Sequence, residues 1–215
     1  MPKKKAFFIT FEGIEGSGKS FQSKKLYRNL KKKGFKAIIT REPGGTINAE
    51  RIRKLILEDY FKKKSTKQFH KITDTLLYLA ARNEHIKNTI KPAINKKKII
   101  ICDRFIDSTI AYQVYGKRVN INLINVIHKN ILDNIKPDLT FVMKCKISKA
   151  MKRLNKRKNK NRYDKFSKKF YSNVQKAFIK IANKNKGKYI IVNNSENEIS
   201  AEKIIINKFL NKFNK

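Results

Sequence analysis

Segment 13–20 combines glycines, a lysine and a hydroxyl in an order that suits phosphate binding. It reads Gly13-Ile14-Glu15-Gly16-Ser17-Gly18-Lys19-Ser20, which fits the pattern G-x-x-x-x-G-K-[ST]. Glycines let consecutive backbone N–H groups turn towards an anion, and a following helix adds its positive N-terminal end. In such a loop Lys19 reaches the outer phosphates of ATP, and the Ser20 hydroxyl ligates Mg²⁺. A glycine-rich turn that only caps a helix is the alternative, but a chain with 8 glycines seldom produces this pattern by chance.

A second group that suits phosphate chemistry is Asp103-Arg104, directly after the apolar run 98–102. If that run is a β-strand, both side chains emerge at the carboxyl edge of the sheet, where ligands of open α/β sheets bind. An aspartate there can hold Mg²⁺ through water. A plain surface pair of Asp and Arg is the alternative, and the phosphate-loop pattern makes it the weaker one.

Tyr78 and Arg82 are four residues apart in a helical pattern, so both face the same side of the helix. One ring and one guanidinium on that side could stack on a nucleobase and hydrogen-bond to it. From the spacing alone, a core tyrosine beside a salt-bridged arginine is the better interpretation.

Hydrophobic periodicity predicts the elements that must position these residues. The glycine-rich segment lies between a strand and a helix that ends at Gly34. Further helices are predicted between strands, and the alternation is typical of an α/β fold with a mostly parallel sheet covered on both faces. The predicted strands are 6–12, 36–40, 98–102, 139–144 and 189–192, and the further helices are 73–91, 120–134, 167–184 and 199–213.

The composition is strongly basic, with 53 Lys and Arg against 16 Asp and Glu and a net charge of +37. That excess predicts an anionic partner, and a hydrophobic share of 40% is enough for a core, which excludes disorder of the whole chain. No apolar run approaches the ~20 residues of a membrane helix, and the start shows no signal-peptide cleavage site. We therefore expect a cytoplasmic protein with no membrane partner.

The cysteine and histidine patterns indicate no metal centre. Cys102 and Cys145 lie in apolar stretches without metal-ligand spacing, which predicts buried free thiols. The three histidines are scattered and form no metal-binding or catalytic pair. A histidine-based site would need a clustering in space that the sequence does not reveal.

Five motifs taken together resemble those of the thymidylate kinase family. They are Phe11-Glu12-Gly13 with the phosphate loop, Thr40-Arg41-Glu42-Pro43-Gly44-Gly45-Thr46, Ala80-Ala81-Arg82, Asp103-Arg104-Phe105 and Ser108-Thr109-Ile110-Ala111-Tyr112-Gln113. The resemblance runs from about residue 6 to the C-terminus. It implies one thymidylate-kinase-like domain over residues 1–215, with the three-layer fold of P-loop nucleoside monophosphate kinases, a parallel five-stranded sheet flanked by helices.

The reaction that the resemblance implies is phosphorylation of dTMP to dTDP with ATP and Mg²⁺, in dTTP synthesis. The acceptor phosphate is already ionised near neutral pH, so no side chain has to remove a proton. Catalysis must instead align two polyanions and neutralise charge on the moving phosphoryl group. Lys19, Arg41 and Arg104 suit that demand, with Lys19 and Arg104 expected to be catalytic. Family members are commonly homodimers.

The resemblance also implies a role for each residue of the acceptor site. Arg41 and Arg104 would hold the dTMP phosphate, and Tyr112 would crowd the sugar 2′ position and so favour deoxyribose. The metal would be held by Ser20 and, through water, by Asp103, with Glu15 as a further candidate. The complete substrate-binding set is Glu15, Arg41, Tyr78, Arg82, Arg104, Thr109, Tyr112 and Gln113.

A basic segment at about 151–163 is expected to be a mobile lid. One branch of the family carries a catalytic arginine inside the phosphate loop, where this chain has Gly16. The lid is rich in arginine, so the chain resembles the branch whose lid supplies that residue, and Arg157 and Arg162 are the candidates. Lid closure would bring positive charge to the transferring group and exclude water. Elsewhere in this segment, the lysines are those of a solvated charge run.

Two other functions remain open from the sequence. Another nucleoside monophosphate kinase would share the loop and the lid but would lack Ala111-Tyr112-Gln113 after Asp103-Arg104. A basic nucleic-acid-binding P-loop protein would explain the charge, although no recognised nucleic-acid-binding signature supports it. Contact with nucleic acid is therefore expected to be weak and non-specific, with ATP and dTMP as the main partners.

Overall fold

Five parallel strands form the centre of the molecule. The computed structural model describes residues 5–57, 68–158, 161–195 and 198–214. The strands are β1 Phe7–Glu12, β2 Ala37–Arg41, β3 Ile99–Asp103, β4 Leu139–Lys144 and β5 Tyr189–Asn193, in the spatial order β2-β3-β1-β4-β5. Each strand lies within one residue of its predicted bounds, so the sheet prediction is confirmed.

Helices connect the strands and cover both faces of the sheet. They are α1 Lys19–Lys32, α2 Ile47–Leu57, α3 Lys71–His85, α4 Lys91–Asn95, α5 Ile106–Thr109, α6 Ile121–Ile131, α7 Ile147–Asn155, α8 Lys168–Lys184 and α9 Glu198–Phe213. Single π-helical stretches, Ile86–Ile90 and Ile110–Gly116, follow α3 and α5, and a 3₁₀ turn spans Arg162–Lys165. None of these helices in the described residues is long and apolar enough to cross a membrane.

Four helices escaped prediction, α2, α4, α5 and α7, and of these α4 begins at Lys91, the last residue of the predicted helix 73–91. In α2 the apolar residues do not all face the core, since Ile47 is 81% and Leu55 is 47% exposed, and this blurs the helical period. Helix α5 has only four residues before the π-helical stretch begins. Helix α7 includes residues 151–155, which we expected to belong to the lid, so the basic segment starts as regular helix.

The core lies on both faces of the sheet, as expected for buried parallel strands. On one face Ile9 and Phe11 of β1 pack with Leu26 of α1 and Phe209 of α9. On the other face Phe8 belongs to a cluster beneath the π-helical stretch 86–90. The free thiols of Cys102 and Cys145 are both buried, as predicted.

The strand order brings three chemically important strand ends together. In the sheet register Phe11 pairs with Asp103, and Asp103 pairs with Arg41 on its other side. The carboxyl ends of β1, β3 and β2 are therefore neighbours. The phosphate loop, Asp103-Arg104 and the turn after Arg41 consequently open onto the same edge of the sheet.

Candidate active site

The phosphate loop has the backbone that its glycines predict. Gly13, Gly16 and Gly18 have φ values of 137°, 71° and 92°, which side-chain-bearing residues rarely adopt. Lys19, the first residue of α1, is 6% exposed, and its Nζ donates to the Ile14 carbonyl at 2.7 Å. Burial, followed by the positive charge of Arg104, lowers the pKa of Lys19 to about 8. The loop is therefore already folded around its lysine.

Ser20 and Asp103 meet at the mouth of this loop. Ser20 Oγ donates to Asp103 Oδ2, while Asp103 Oδ1 is buried without a partner in the described part of the chain. A hydroxyl and a carboxylate oxygen are ligands that Mg²⁺ prefers, and the ion usually takes its other ligands from water and substrate phosphates. The described residues contain no group of three or more His, Cys, Asp or Glu that could cage a metal. These two residues therefore fit a magnesium ion shared with a nucleotide.

Arg104 lies at the centre of the site and is held there by hydrogen bonds to three protein groups. Its backbone has a positive φ of 73°, and its guanidinium donates to Gly13 O and Ser108 Oγ, both at 3.0 Å, and to Glu15 Oε1 at 2.8 Å. Burial lowers the pKa of Arg104, but Glu15 and the neighbouring groups outweigh it and leave that pKa well above its ordinary value. The guanidinium also lies 5.1 Å from the ring centre of Tyr112, whose hydroxyl donates to Glu15.

Glu12 supports Arg104 indirectly. The Glu12 carboxylate accepts from Phe105 N at 2.7 Å and from Ser108 Oγ at 2.6 Å. Since Arg104 donates to the same Ser108 hydroxyl, the support passes through serine.

Arg82 lies in a buried polar network rather than in a free position. Its Nε donates to Glu42 Oε2 at 2.8 Å, its Nη2 to Phe105 O at 2.9 Å, and its Nη1 lies 2.8 Å from His128 Nε2. Glu42 also contacts His85 Nδ1 at 3.0 Å, and the Glu42–Pro43 peptide bond is cis. Burial raises the pKa of Glu42, but Arg82 and His85 together lower it by more, so the pKa of Glu42 lies below its ordinary value.

Three further residues of the predicted substrate-binding set, Tyr78, Thr109 and Gln113, line the cavity together with Arg82. Thr109 Oγ1 and Gln113 Nε2 are buried polar atoms that have no partner among the described residues. Tyr78 OH donates to Tyr163 OH at 2.5 Å, while the Tyr78 side chain lines the cavity. Unpaired buried polar atoms are costly, which is the pattern expected of groups that bind a ligand.

Arg41 reaches the cavity from the exposed side. Its Nη2 lies 3.1 Å from both carboxylate oxygens of Glu50, and its side chain is 54% exposed. Arg53, which sequence analysis missed, lines the same wall and donates to Pro43 O at 2.6 Å. Its place on α2, a helix that we did not predict, is why its sequence neighbourhood gave no signal.

The two candidate lid arginines have different positions. Arg157 lines the cavity, is 48% exposed in its side chain, and pairs with Asp164 at 3.2 Å. Arg162 is 5% exposed, pairs with Asp74, and is not among the residues that line the main cavity. Of the two candidates for a catalytic lid arginine, Arg157 therefore lies at the cavity and Arg162 pairs with the buried carboxylate of Asp74 outside it.

Arg153 is a further cation that sequence analysis did not choose. Its Nη1 donates to Gly16 O at 3.0 Å, which ties the last turns of α7 to the phosphate loop. The signal was present, because Arg153 belongs to the same basic segment, but a run of cations does not show which member faces inward.

One cavity of about 1110 Å³ is lined by residues of the phosphate loop and by Arg41, Arg82, Asp103, Arg104, Arg153 and Arg157. A parallel sheet, a phosphate loop after β1, an Asp-Arg pair after β3 and a basic segment beside the loop together define a P-loop nucleoside monophosphate kinase.

Comparison with known proteins gives the family. The family model for thymidylate kinase matches residues 11–204. The chain is 46% identical to the thymidylate kinase of Wolbachia pipientis wMel over 81% of this chain and 84% of the relative, and 36% identical to that of Sulfurihydrogenibium sp. over 93% and 95%. A crystal structure of thymidylate kinase from Ehrlichia chaffeensis superposes with a TM-score of 0.75 at 33% identity, covering 96% of this chain and 99% of that chain. The chain belongs to the thymidylate kinase family and is a transferase that phosphorylates dTMP to dTDP, in dTTP synthesis.

Proposed function

We propose that the chain transfers the γ-phosphoryl group of ATP to the 5′-phosphate of dTMP within the 1110 Å³ cavity, with Mg²⁺ as cofactor. The observation that carries this proposal is that the same cavity is lined by the phosphate loop and by the side chains of Arg41, Arg82 and Arg104. Two polyanions can react in line only if their sites open towards each other.

At the ATP end, residues 13–20 bind the phosphates and Lys19 neutralises the transferring group. Ser20 and, through water, Asp103 are proposed to hold Mg²⁺, which when bound draws charge from the phosphate oxygens. Glu15 already accepts from Arg104 and from the Tyr112 hydroxyl. We therefore propose that Glu15 positions the acceptor site, and we favour this role over metal binding.

At the acceptor phosphate, the proposed clamp consists of Arg41 and Arg104. A guanidinium offers two parallel N–H donors to a phosphate, which lysine does not. Tyr112, held over Arg104 by its contact with Glu15, is proposed to lie against the sugar and to select deoxyribose.

The base wall consists of groups that favour a pyrimidine with carbonyl oxygens. Arg82 can only donate, and Gln113 Nε2 is a buried donor without a partner among the described residues. Thr109 Oγ1 is an unpartnered hydroxyl that can either donate or accept. Thymine offers two carbonyl acceptors and one N–H, so it can pair with the donors of Arg82 and Gln113 and with the Thr109 hydroxyl. Cytosine has an amino group in place of one carbonyl, and that amino group would meet a donor of the protein. The ring of Tyr78 is proposed to stack on the base.

Segment 151–163 is proposed to be the lid of a single domain, with Arg157 supplying charge to the transition state. The Arg157 side chain is half-exposed, and its carboxylate partner, the buried Asp164, also accepts from Asn161 N at 2.8 Å, so Asp164 keeps a donor when Arg157 moves. Transfer then depends on movement of Arg157 towards the phosphoryl group. For Arg162 we propose no direct contact with the reacting groups, given its pairing with Asp74.

We also propose a homodimer in the cytoplasm. Helix α2 packs on α3 and α3 packs on α6. These three helices expose Ile47, Leu55, Ile72, Leu76 and Val126, an unusual number of large apolar side chains for adjacent helices. Light scattering on purified protein would test the dimer, and Val126→Lys with Ile47→Lys should convert it to monomer.

The function is tested by ADP release from purified protein with dTMP, dUMP, UMP, CMP, dCMP and AMP as acceptors, with and without Mg²⁺. We expect dTMP to give the highest kcat/KM and Mg²⁺ to be required. Equal rates with UMP and dTMP would remove the proposed role of Tyr112. Stimulation by DNA or RNA, with no response to any nucleotide acceptor, would contradict the kinase assignment.

A further inference from the structure

We infer that His128 positions Arg82 for base recognition, by accepting one N–H of its guanidinium so that the remaining one is held towards the cavity. The inference rests on the proposed function, in which Arg82 contacts the base. His128 lies on α6, is 7% exposed, and is not among the residues that line the cavity, so it acts only through Arg82.

The donor inventory of Arg82 supports this role. A guanidinium has five N–H bonds and no acceptor. The Nε and Nη2 groups are engaged by Glu42 and by the Phe105 carbonyl, with Nη2 also 2.7 Å from Glu42 Oε2. Nη1 carries two hydrogens, and one of them points to His128 Nε2 at 2.8 Å. One hydrogen remains for a ligand, and Arg82 is part of the cavity wall.

The chemistry also fixes the state of His128. Because an arginine cannot accept a hydrogen bond, Nε2 of His128 must be the acceptor and its proton must lie on Nδ1. Burial and, after it, the charge of Arg82 lower the pKa of His128 to about 3. The ring is therefore a neutral acceptor throughout the range in which a kinase works.

Arg82 is consequently held from two sides by different elements. Glu42, after β2, fixes the Nε side, and His128, on α6, fixes Nη1. A planar guanidinium held at both ends presents its last donor in one direction. That donor matches a carbonyl oxygen on the base edge and opposes an amino group at the same place.

The test compares His128→Leu, which removes the acceptor, with His128→Gln, whose Oε1 can lie near the Nε2 position. Lys129→Ala, an exposed neighbour on α6, is the matched control. For each variant kcat and KM are measured with dTMP and dCMP as acceptors, together with the KM for ATP and the thermal unfolding midpoint.

We expect His128→Leu to raise the KM for dTMP about tenfold, and to lower the dTMP over dCMP preference in kcat/KM about tenfold, with the KM for ATP unchanged. For His128→Gln, the KM for dTMP and the dTMP over dCMP preference should stay within about threefold of wild type. For Lys129→Ala, both should equal the wild-type values. A loss that is the same for Leu and Gln, or that affects ATP and dTMP equally, would overturn the inference. If His128→Leu does not fold, His128→Met takes its place with the same expectation.

The outcomes also separate this inference from the proposed function. A wild-type protein that phosphorylates dTMP, together with an unaltered His128→Leu variant, rejects the positioning role alone. A wild-type protein without dTMP-dependent ADP release rejects both.

Discussion

Two pairs of arginines in the same cavity differ in how the rest of the protein holds them. Arg82 and Arg104 are 2% and 16% exposed in their side chains, and each makes several hydrogen bonds. Arg41 and Arg157 are 54% and 48% exposed, and in the described part of the chain each pairs with one carboxylate, Glu50 and Asp164 respectively. A buried charge must be paired, whereas an exposed ion pair contributes little and can exchange.

The difference assigns different tasks to the two pairs. Arg82 and Arg104 are held by hydrogen bonds to other protein groups, which suits recognition of the base and fixed placement of the acceptor phosphate. Arg41 can leave the exposed Glu50 at low cost. The carboxylate that Arg157 would leave is buried, but it retains the Asn161 N–H at 2.8 Å, so both arginines suit movement onto a substrate.

The largest effect that tests this comparison is expected for Arg104→Ala. Removing Arg104 leaves Glu15 without its main cation and abolishes one arm of the phosphate clamp. We expect kcat/KM for dTMP to fall on the order of 10³-fold and the free energy of unfolding to fall by about 3 kcal/mol. Steady-state kinetics and urea unfolding measure both, with exposed Arg28→Ala on α1 as control. Activity lost without any loss of stability would show that these hydrogen bonds do not hold Arg104 in place.

Arg41→Ala should lose binding without losing stability. The KM for dTMP is expected to rise on the order of 30-fold, while the free energy of unfolding changes by less than about 1 kcal/mol, because the Arg41–Glu50 pair is exposed. Exposed Arg51→Ala on α2 serves as the control. A stability loss comparable with that of Arg104→Ala would erase the distinction between the two pairs.

The buried network also predicts how stability depends on pH. His128 has an ordinary pKa near 6.5 when unfolded and about 3 when folded, so between these values the unfolded chain binds more protons. Acid therefore favours unfolding, and this contribution to stability is lost as the pH falls below about 6.5. Between about pH 7 and pH 5, wild type should lose about 2 kcal/mol more than His128→Gln in denaturant titrations. Parallel losses in the two proteins would contradict a buried neutral His128.

Much of the fold and of the phosphate end of the site follows from local sequence. The strands are predictable because buried parallel strands are continuous apolar runs, and the phosphate loop is predictable because its backbone requires glycine. Asp103 and Arg104 come directly after such a run, so their place at the sheet edge follows as well.

The parts that sequence did not predict depend on contacts between distant residues. Arg82 and His128 are 46 positions apart and belong to different helices, so no local pattern joins them. The histidines are scattered along the sequence, yet His85 and His128 both contact the Glu42–Arg82 network in the folded chain. The sequence around Arg157 and Arg162 is similarly basic. Only the ion pair of Arg162 with Asp74, seen in the structure, distinguishes Arg162 from Arg157, which lines the cavity.

We propose that Arg82 and Arg104 are held in place while Arg157 moves during the reaction. The most direct test is to measure dTMP binding and phosphoryl transfer separately in Arg157→Ala. Calorimetry gives the Kd for dTMP, and rapid-quench single-turnover experiments with ATP give the rate of phosphoryl transfer; Lys158→Ala is the control. We predict a dTMP affinity within about threefold of wild type and a transfer rate reduced on the order of 10³-fold. Weakened dTMP binding with an unchanged transfer rate would contradict the account.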